Sequence, residues 1–334
     1  MMEATARAYT NIALIKYWGK RDEQLFLPMN SSLSITLDQF YTTTSVQFCT
    51  CLSADIFILN GQLASEQETV KISRFMSLLR DLSGKKLYAV IDSTNKVPTA
   101  AGFASSASGY AALAAAGTKA LGMDSDDQTL SKIARQGSGS ACRSIYGGYV
   151  EWQKGDKEDG TDSYAHQILE AQDWNLSILS VLLVPEPKEV LSREGMKRTV
   201  ETSPFYAGWL DTVEVDLNTA KSALQQRDFE MLGNVLEGNA LKMHATTLGA
   251  NPPFMYWTSA TLDVMQQVKE LRATGIQAYF TIDAGPNVKV LCQPKDEQIV
   301  QEKLKDIPAV QDVYLCHPGP GITYLPQSKK KNCC

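Results

Sequence analysis

At 334 residues, the chain is long enough for two domains or one large one with a full core. Its 44% hydrophobic and 21% charged content is that of a soluble globular protein, and a net charge of −5 argues against non-specific nucleic-acid binding as its main task. No apolar run approaches the ~20 residues needed to cross a bilayer, and Met1 to Arg7 lacks the basic-then-apolar layout of a signal peptide, so a cytoplasmic enzyme or binding protein is expected.

Ala8 to Lys20 begins extended and ends in a cluster of Asn11, Lys16, Tyr17, Trp18, Gly19 and Lys20, which suits either an anion pocket or an amphipathic strand with solvated lysines. After a turn at Leu27 to Ser32, the β-branched runs Ser32–Leu37 and Thr42–Phe48 read as two strands. Ile56–Leu59 meets a hairpin turn at Asn60-Gly61, Glu66–Leu82 carries helical spacing, and Leu87–Ser93 alternates as a strand.

The next stretch, Pro98-Thr99-Ala100-Ala101-Gly102-Phe103-Ala104-Ser105-Ser106-Ala107-Ser108-Gly109, lies between that strand and an Ala-rich helix ending near Leu121. A strand, a small-residue loop and a helix start suit a bound phosphate, because backbone N–H groups and the positive helix end both face the anion. Ser105 and Ser106 add hydroxyls for phosphate or magnesium. The same residues also suit a plain helix start packed on a sheet. Neither a Walker A loop nor a G-x-G-x-x-G fingerprint is present.

Ser125 to Gln128 reads as a capping box opening a short helix that Gly137 closes. There Gly137-Ser138-Gly139-Ser140-Ala141-Cys142-Arg143-Ser144 offers hydroxyls, open backbone and a guanidinium whose planar fork fits a carboxylate or phosphate. A strand at Tyr149–Trp152, a loop at Lys154–Ser163 and a buried strand within Leu176–Pro185 follow. Beyond Pro185-Glu186-Pro187 the texture changes to amphipathic helices around Leu210–Leu224, Phe229–Leu236 and Leu262–Leu271, so the domain boundary is drawn at 186/187. Strands Ala278–Ile282 and Val288–Leu291 flank Asp283-Ala284-Gly285-Pro286-Asn287. That turn would hold Asp283 out from a rigid scaffold, either toward a substrate hydroxyl or bonded to its own loop. A helix from about Asp296 and a strand at Val313–Leu315 complete the second domain, with 327–334 as a disordered tail.

Seven scattered cysteines without C-x-x-C pairs point to free thiols, and three distant histidines fall outside zinc-ligand spacing. The terminal Lys-Lys-Lys-Asn-Cys-Cys reads as a solvated tail or a prenylated end. Taken together, the clusters suggest a nucleotide-dependent transferase acting on a small anionic alcohol.

The segments Asn11 to Lys20, Pro98 to Gly109, Gly137 to Ser144 and Asp283 to Lys289 resemble, in the same order, the diphosphomevalonate decarboxylase family of the GHMP kinase superfamily. The resemblance runs from about Ala6 to Leu325. It implies an α+β GHMP kinase fold: an N-terminal ribosomal-protein-S5-domain-2-like domain, a C-terminal ferredoxin-like domain, and an active site in the cleft between them. It also implies an ATP- and Mg2+-dependent reaction on mevalonate 5-diphosphate, and commonly a homodimer with no nucleic-acid or membrane partner.

By the same resemblance, Asp283 would be the base or orienter at the 3-hydroxyl, Arg143 would hold the carboxylate, and Asn11 would help to place Asp283. Tyr17, Lys20, Ser138, Gly139, Ser140 and Arg193 would hold the diphosphate. Trp18, Gly19, Ala141, Cys142 and Ser192 would complete the substrate-binding elements, Ser192 in a turn beside Arg193. Ala101, Gly102, Ala104, Ser105, Ser106 and Ser108 would wrap the ATP phosphates, with Ser105 or Ser106 on magnesium. Ser93 and Asn95 would lie near the adenine, and Lys71 and Lys188 would meet the nucleotide. Lys16 is assigned to packing and pocket shape. A superfamily kinase without decarboxylation and a silent ligand-binding member are the alternatives.

Overall fold

The computed structural model describes residues 2–96, 105–183 and 189–326. In chain order, the N-terminal half holds β1 (Met2–Ile15), β2 (Lys20–Asp22), β3 (Leu27–Pro28), β4 (Ser32–Cys49), β5 (Ile56–Leu59), β6 (Gln62–Leu63), α1 (Glu66–Ser83) and β7 (Tyr88–Lys96). It continues with α2 (Ser105–Ala120), α3 (Asp127–Arg135), a 3₁₀ segment at Gly139–Ile145, β8 (Tyr149–Trp152) and β9 (Ala165–Leu169). There follow β10 (Ser177–Leu183), α4 (Ser192–Thr202), α5 (Tyr206–Gln226), α6 (Phe229–Leu248), α7 (Ser259–Ala273), β11 (Ala278–Ile282), β12 (Val288–Cys292), α8 (Glu297–Lys305), β13 (Val310–Cys316) and β14 (Thr323–Leu325).

A long antiparallel pair organises the first half, with β1 and β4 in register from Met2↔Phe48 to Ile15↔Leu33. β4 is one strand where the sequence predicted two. The polar Asp38-Gln39 interruption is absorbed where the register shifts between Tyr9 and Asn11. The far edge of β4 forks: Tyr41–Cys49 pairs with β7, and Ser32–Ile35 pairs with β8. The Ala-rich face of β1 (Ala4, Ala6, Ala8) admits α2 closely, and α2 is buried along most of its length. α3 starts at an Asp126 cap, whose carboxylate accepts the Thr129 N–H at 2.8 Å, so the cap lies one residue beyond Ser125.

The second sheet is antiparallel in the order β11-β12-β10-β13. β10 therefore sits inside it, ahead of the 186/187 division drawn from the sequence. A strand of seven residues, five of them apolar and six buried, needs cover on both faces, which an interior position supplies. Sheet membership changes across 170–176, and we propose the domain division there, with β14 returning to pair with β1. The end of β1 carries Ile12, Leu14 and Ile15 into a core shared with Trp209 and Leu217 of α5 and Leu232 and Leu236 of α6. Residues immediately after Ile15 thus emerge where the two halves meet.

Candidate active site

Asp283 opens the turn between β11 and β12, two fully buried strands. The turn is tied down from outside: Asn287 Oδ1 accepts the Leu183 N–H at 2.9 Å, and the Pro286 carbonyl accepts from Thr261 Oγ1 at 2.9 Å. The Asp283 side chain remains 36% exposed and meets Lys16 Nζ at 2.7 Å and Lys289 Nζ at 3.9 Å. Burial works to raise its pKa, but Lys16, Lys289 and Arg143 together outweigh it and hold the carboxyl at about 2. Burial pulls the buried Lys16 ammonium below its ordinary value, against the attraction of Asp283.

Arg143 is buried in the 3₁₀ segment. Its guanidinium donates to Ser32 Oγ at 2.6 Å and to Asn11 Oδ1 at 3.2 and 3.3 Å. Asn11 in turn donates to the Ser140 carbonyl at 3.0 Å and to Ser144 Oγ at 2.8 Å. Asn11 thus braces Arg143 and the serine segment and lines the same cavity as Asp283, while the ion pairs at Asp283 come from Lys16 and Lys289. Lys16, assigned from the sequence to packing and pocket shape, lines the cavity and pairs with Asp283. A lysine directly after the apolar run Ile12–Ile15, at the mouth of a buried strand, was the available signal.

Asp283 and Arg143 face one cavity of about 600 Å³. Lys16, Tyr17, Trp18, Lys20, Lys71, Ser105, Ser106, Ser138, Gly139, Ser140, Ser192 and Arg193 line it with them, as do Phe26, Tyr110, Met196 and Met243, which the sequence reading missed. Gly139 is required by close approach, since a Cβ there would stand 2.9 Å from the Tyr17 ring and 3.0 Å from Trp152. Tyr17 packs on Trp152 with ring centroids 4.7 Å apart, and its hydroxyl is buried without a partner among the described residues. Ser192 begins α4 rather than lying in a turn, so Arg193 projects from the first turn of a helix and donates to the Gly137 carbonyl at 3.3 Å. A hollow of about 460 Å³ adjoins the cavity, sharing Lys20, Lys71 and Arg193 and adding Arg74.

Other expected residues lie away from the cavity wall. Ala141 and Cys142 point into the core, where burial pushes the Cys142 thiol up to about 12. Gly19 shapes the preceding turn. The Ser93 and Asn95 side chains bond Thr44 and Thr42 across the sheet at 2.8 Å, and the Ser108 hydroxyl bonds Thr42 at 2.8 Å. The Ser93 and Ser108 hydroxyls and the Asn95 amide oxygen are engaged by the sheet because α2 and β7 pack directly on β4. Ala101, Gly102, Ala104 and Lys188 lie outside the described residues.

The cavity wall holds five cationic side chains and one carboxylate, the composition of a polyanion site. No cluster of three or more His, Cys, Asp or Glu able to hold a metal occurs among the described residues. Magnesium still fits, because it is commonly held by few protein oxygens plus substrate phosphates. Ser105 and Ser106 stand at the N-terminus of α2, whose first turn carries no acidic residue to occupy the helix dipole.

The "Diphosphomevalonate decarboxylase-like N-terminal domain" family model matches residues 8–165, and the "Mevalonate 5-diphosphate decarboxylase C-terminal domain" model matches residues 178–321. A diphosphomevalonate decarboxylase of Aspergillus fumigatus is 40% identical over 323 residues, covering 91% of this chain and 80% of the relative. The structure of mevalonate diphosphate decarboxylase from Staphylococcus aureus superposes with a TM-score of 0.93 at 48% identity, over 97% of this chain and 98% of that one. MDDEF in complex with MVAPP, AMPPCP and magnesium superposes with a TM-score of 0.92 at 49% identity, over 97% and 99%. The mixed α+β architecture is that of the GHMP kinase fold, and the chain belongs to the diphosphomevalonate decarboxylase family.

Proposed function

We propose that this chain catalyses the ATP-dependent decarboxylation of (R)-mevalonate 5-diphosphate to isopentenyl diphosphate, with release of ADP, phosphate and carbon dioxide. The observation that carries this reading is the shared cavity of Asp283 and Arg143, one carboxylate among cations opposite a guanidinium. A relative 49% identical holding MVAPP, AMPPCP and magnesium together supports it.

When bound, ATP with magnesium supplies the phosphoryl group that turns the tertiary 3-hydroxyl into a leaving group. Asp283 accepts the hydrogen bond of that hydroxyl and aims its lone pair. With a pKa of about 2 it is a weak base, so it takes the proton late, once the oxygen is already bonding to phosphorus. Lys16 and Lys289 keep it ionised. Arg143 grips the substrate carboxylate through its planar fork and fixes the C1–C2 bond relative to the leaving group at C3. As that group departs, C3 becomes electron-poor and draws the C1–C2 electron pair, releasing carbon dioxide.

The diphosphate is held by Tyr17, Lys20, Ser138, Ser140, Ser192 and Arg193. The buried Tyr17 hydroxyl, which burial keeps protonated, is a ready donor to a phosphate oxygen. Lys71, Ser105 and Ser106 would hold the nucleotide phosphates and the metal. A homodimer in the cytoplasm is the state the family resemblance implies. The free thiols at Cys49, Cys51, Cys142, Cys292 and Cys316 suit a reducing compartment, and sedimentation reads the assembly.

A coupled ATPase assay, run in parallel with mevalonate, its 5-phosphate and its 5-diphosphate, tests the reading. ADP formation is expected with the diphosphate at least ~100-fold above the other two, because the cationic wall binds the missing phosphate. Turnover of either lesser substrate at the diphosphate's rate would contradict it.

A further inference from the structure

Lys16 follows directly on β1, and its backbone leaves the strand ladder for side-chain partners. Its N–H donates to Asn239 Oδ1 at 2.8 Å, and its carbonyl accepts from Asn30 Nδ2 at 2.8 Å. Asn239 is fully buried in α6, within the apolar stripe of Leu232, Leu236 and Met243. Its Nδ2 donates to Asp216 Oδ2 of α5 at 2.9 Å, and both Asp216 oxygens accept from Lys242 Nζ at 2.8 and 2.9 Å. Neither Asn239 nor Asp216 lines the cavity.

The sequence of donors and acceptors has one solution. A carboxylate can only accept, so Asp216 turns the amide nitrogen of Asn239 toward itself. The amide oxygen is then left facing the Lys16 N–H. Without that carboxylate the amide has two orientations, and one of them sets a donor against a donor. Lys16 is thereby fixed at its main chain by α6, while its Nζ is held between the Ala13 carbonyl at 3.0 Å and Asp283 at 2.7 Å. We propose that Asp216 and Asn239 form a positioning pair for the decarboxylase reaction, setting the Lys16 main chain so that its ammonium meets Asp283. The inference rests on the functional reading above and names no further substrate-contacting group. The pair acts on turnover through Lys16 and leaves the phosphate-binding wall in place.

The test uses the full chain with ATP, magnesium and mevalonate 5-diphosphate, wild type beside variants. Asn239→Ala is expected to lower kcat about 10- to 100-fold, the range a small displacement of a reacting group produces, with both KM values within about 3-fold. Asp216→Asn, an isosteric change, is expected to act in the same direction more weakly. The double variant Asp216→Asn/Asn239→Asp restores an acceptor facing the Lys16 N–H and a donor facing that acceptor, and is expected to recover kcat above both single variants. If Asn239→Ala fails to fold, the other two variants carry the comparison. Unchanged kcat in the single variants overturns the inference. So does a joint loss of kcat, KM and Tm with no recovery in the double variant. A wild type inactive on the diphosphate takes the functional reading down with it, whereas active wild type with unaffected variants overturns the inference alone.

Discussion

Lys16 Nζ lies 2.7 Å from Asp283 Oδ1, although the two residues are 267 positions apart. Folding joins the end of the first strand to a turn in the second sheet, and the carboxylate becomes the negative centre of a cationic cavity. Lys16→Met should therefore lower turnover by about 10²-fold or more, by removing a charge aimed at the Asp283 carboxylate. Steady-state kinetics with saturating ATP checks this. A loss under 3-fold would make the ion pair incidental.

Asp283→Asn keeps the shape but removes the negative charge and replaces one acceptor oxygen with a donor. Its kcat should fall on the order of 10³-fold or more while the Kd for mevalonate 5-diphosphate changes little, as read by calorimetric titration. A few-fold loss would move the hydroxyl-orienting role to another residue.

Arg143→Lys should also be harmful. One ammonium cannot replace the fork that spans Ser32 and Asn11 at 2.6 to 3.3 Å and still grip a carboxylate. Expected is a fall in kcat/KM of about 10²-fold, and a near-normal value would place carboxylate binding elsewhere.

The elements legible in the sequence were those with strong local signals. The Asn60-Gly61 hairpin, the amphipathic α1 and the strands around Asp283 follow from turn chemistry and periodicity alone. β10 was legible as a strand but not as a member of the second sheet, because an apolar run carries no record of its partners. The site divided the same way. Asp283 and Arg143 stood out as lone charges among small residues, whereas the destination of Asn11 depended on packing 129 to 133 residues away. For Ser93, Asn95 and Ser108 the sequence could not show that the folded sheet engages the two hydroxyls and the Asn95 amide oxygen.

His244 supplies a stability prediction. It is buried with Nε2 3.3 Å from the Ile282 carbonyl and Nδ1 without a partner among the described residues, so it stays neutral. Burial, then the charge of Lys16, pushes its pKa down to about 4. The unfolded chain binds this proton below about pH 6.5 and the folded chain does not, so stability falls as pH drops from about 6.5 toward 4. Urea unfolding at pH 7 and pH 5 should show about 2 kcal/mol of loss from this group. His244→Gln should lose correspondingly less over the same interval, and an equal loss would sink the assignment.

Gly19 sits at φ +103°, where a Cβ would stand 2.0 Å from the Tyr206 hydroxyl that donates to the Trp18 carbonyl at 2.7 Å. Gly19→Ala should cost about 2 kcal/mol or more, through backbone strain and the displaced tyrosine. An unchanged urea midpoint would contradict this.

The most direct measurement follows carboxyl-labelled mevalonate 5-diphosphate through one turnover, trapping carbon dioxide while counting ADP. The account predicts one labelled carbon dioxide for each ADP in wild type and the loss of both together in Asp283→Asn. ADP formed with the label retained in an acid-stable phosphorylated product would contradict it.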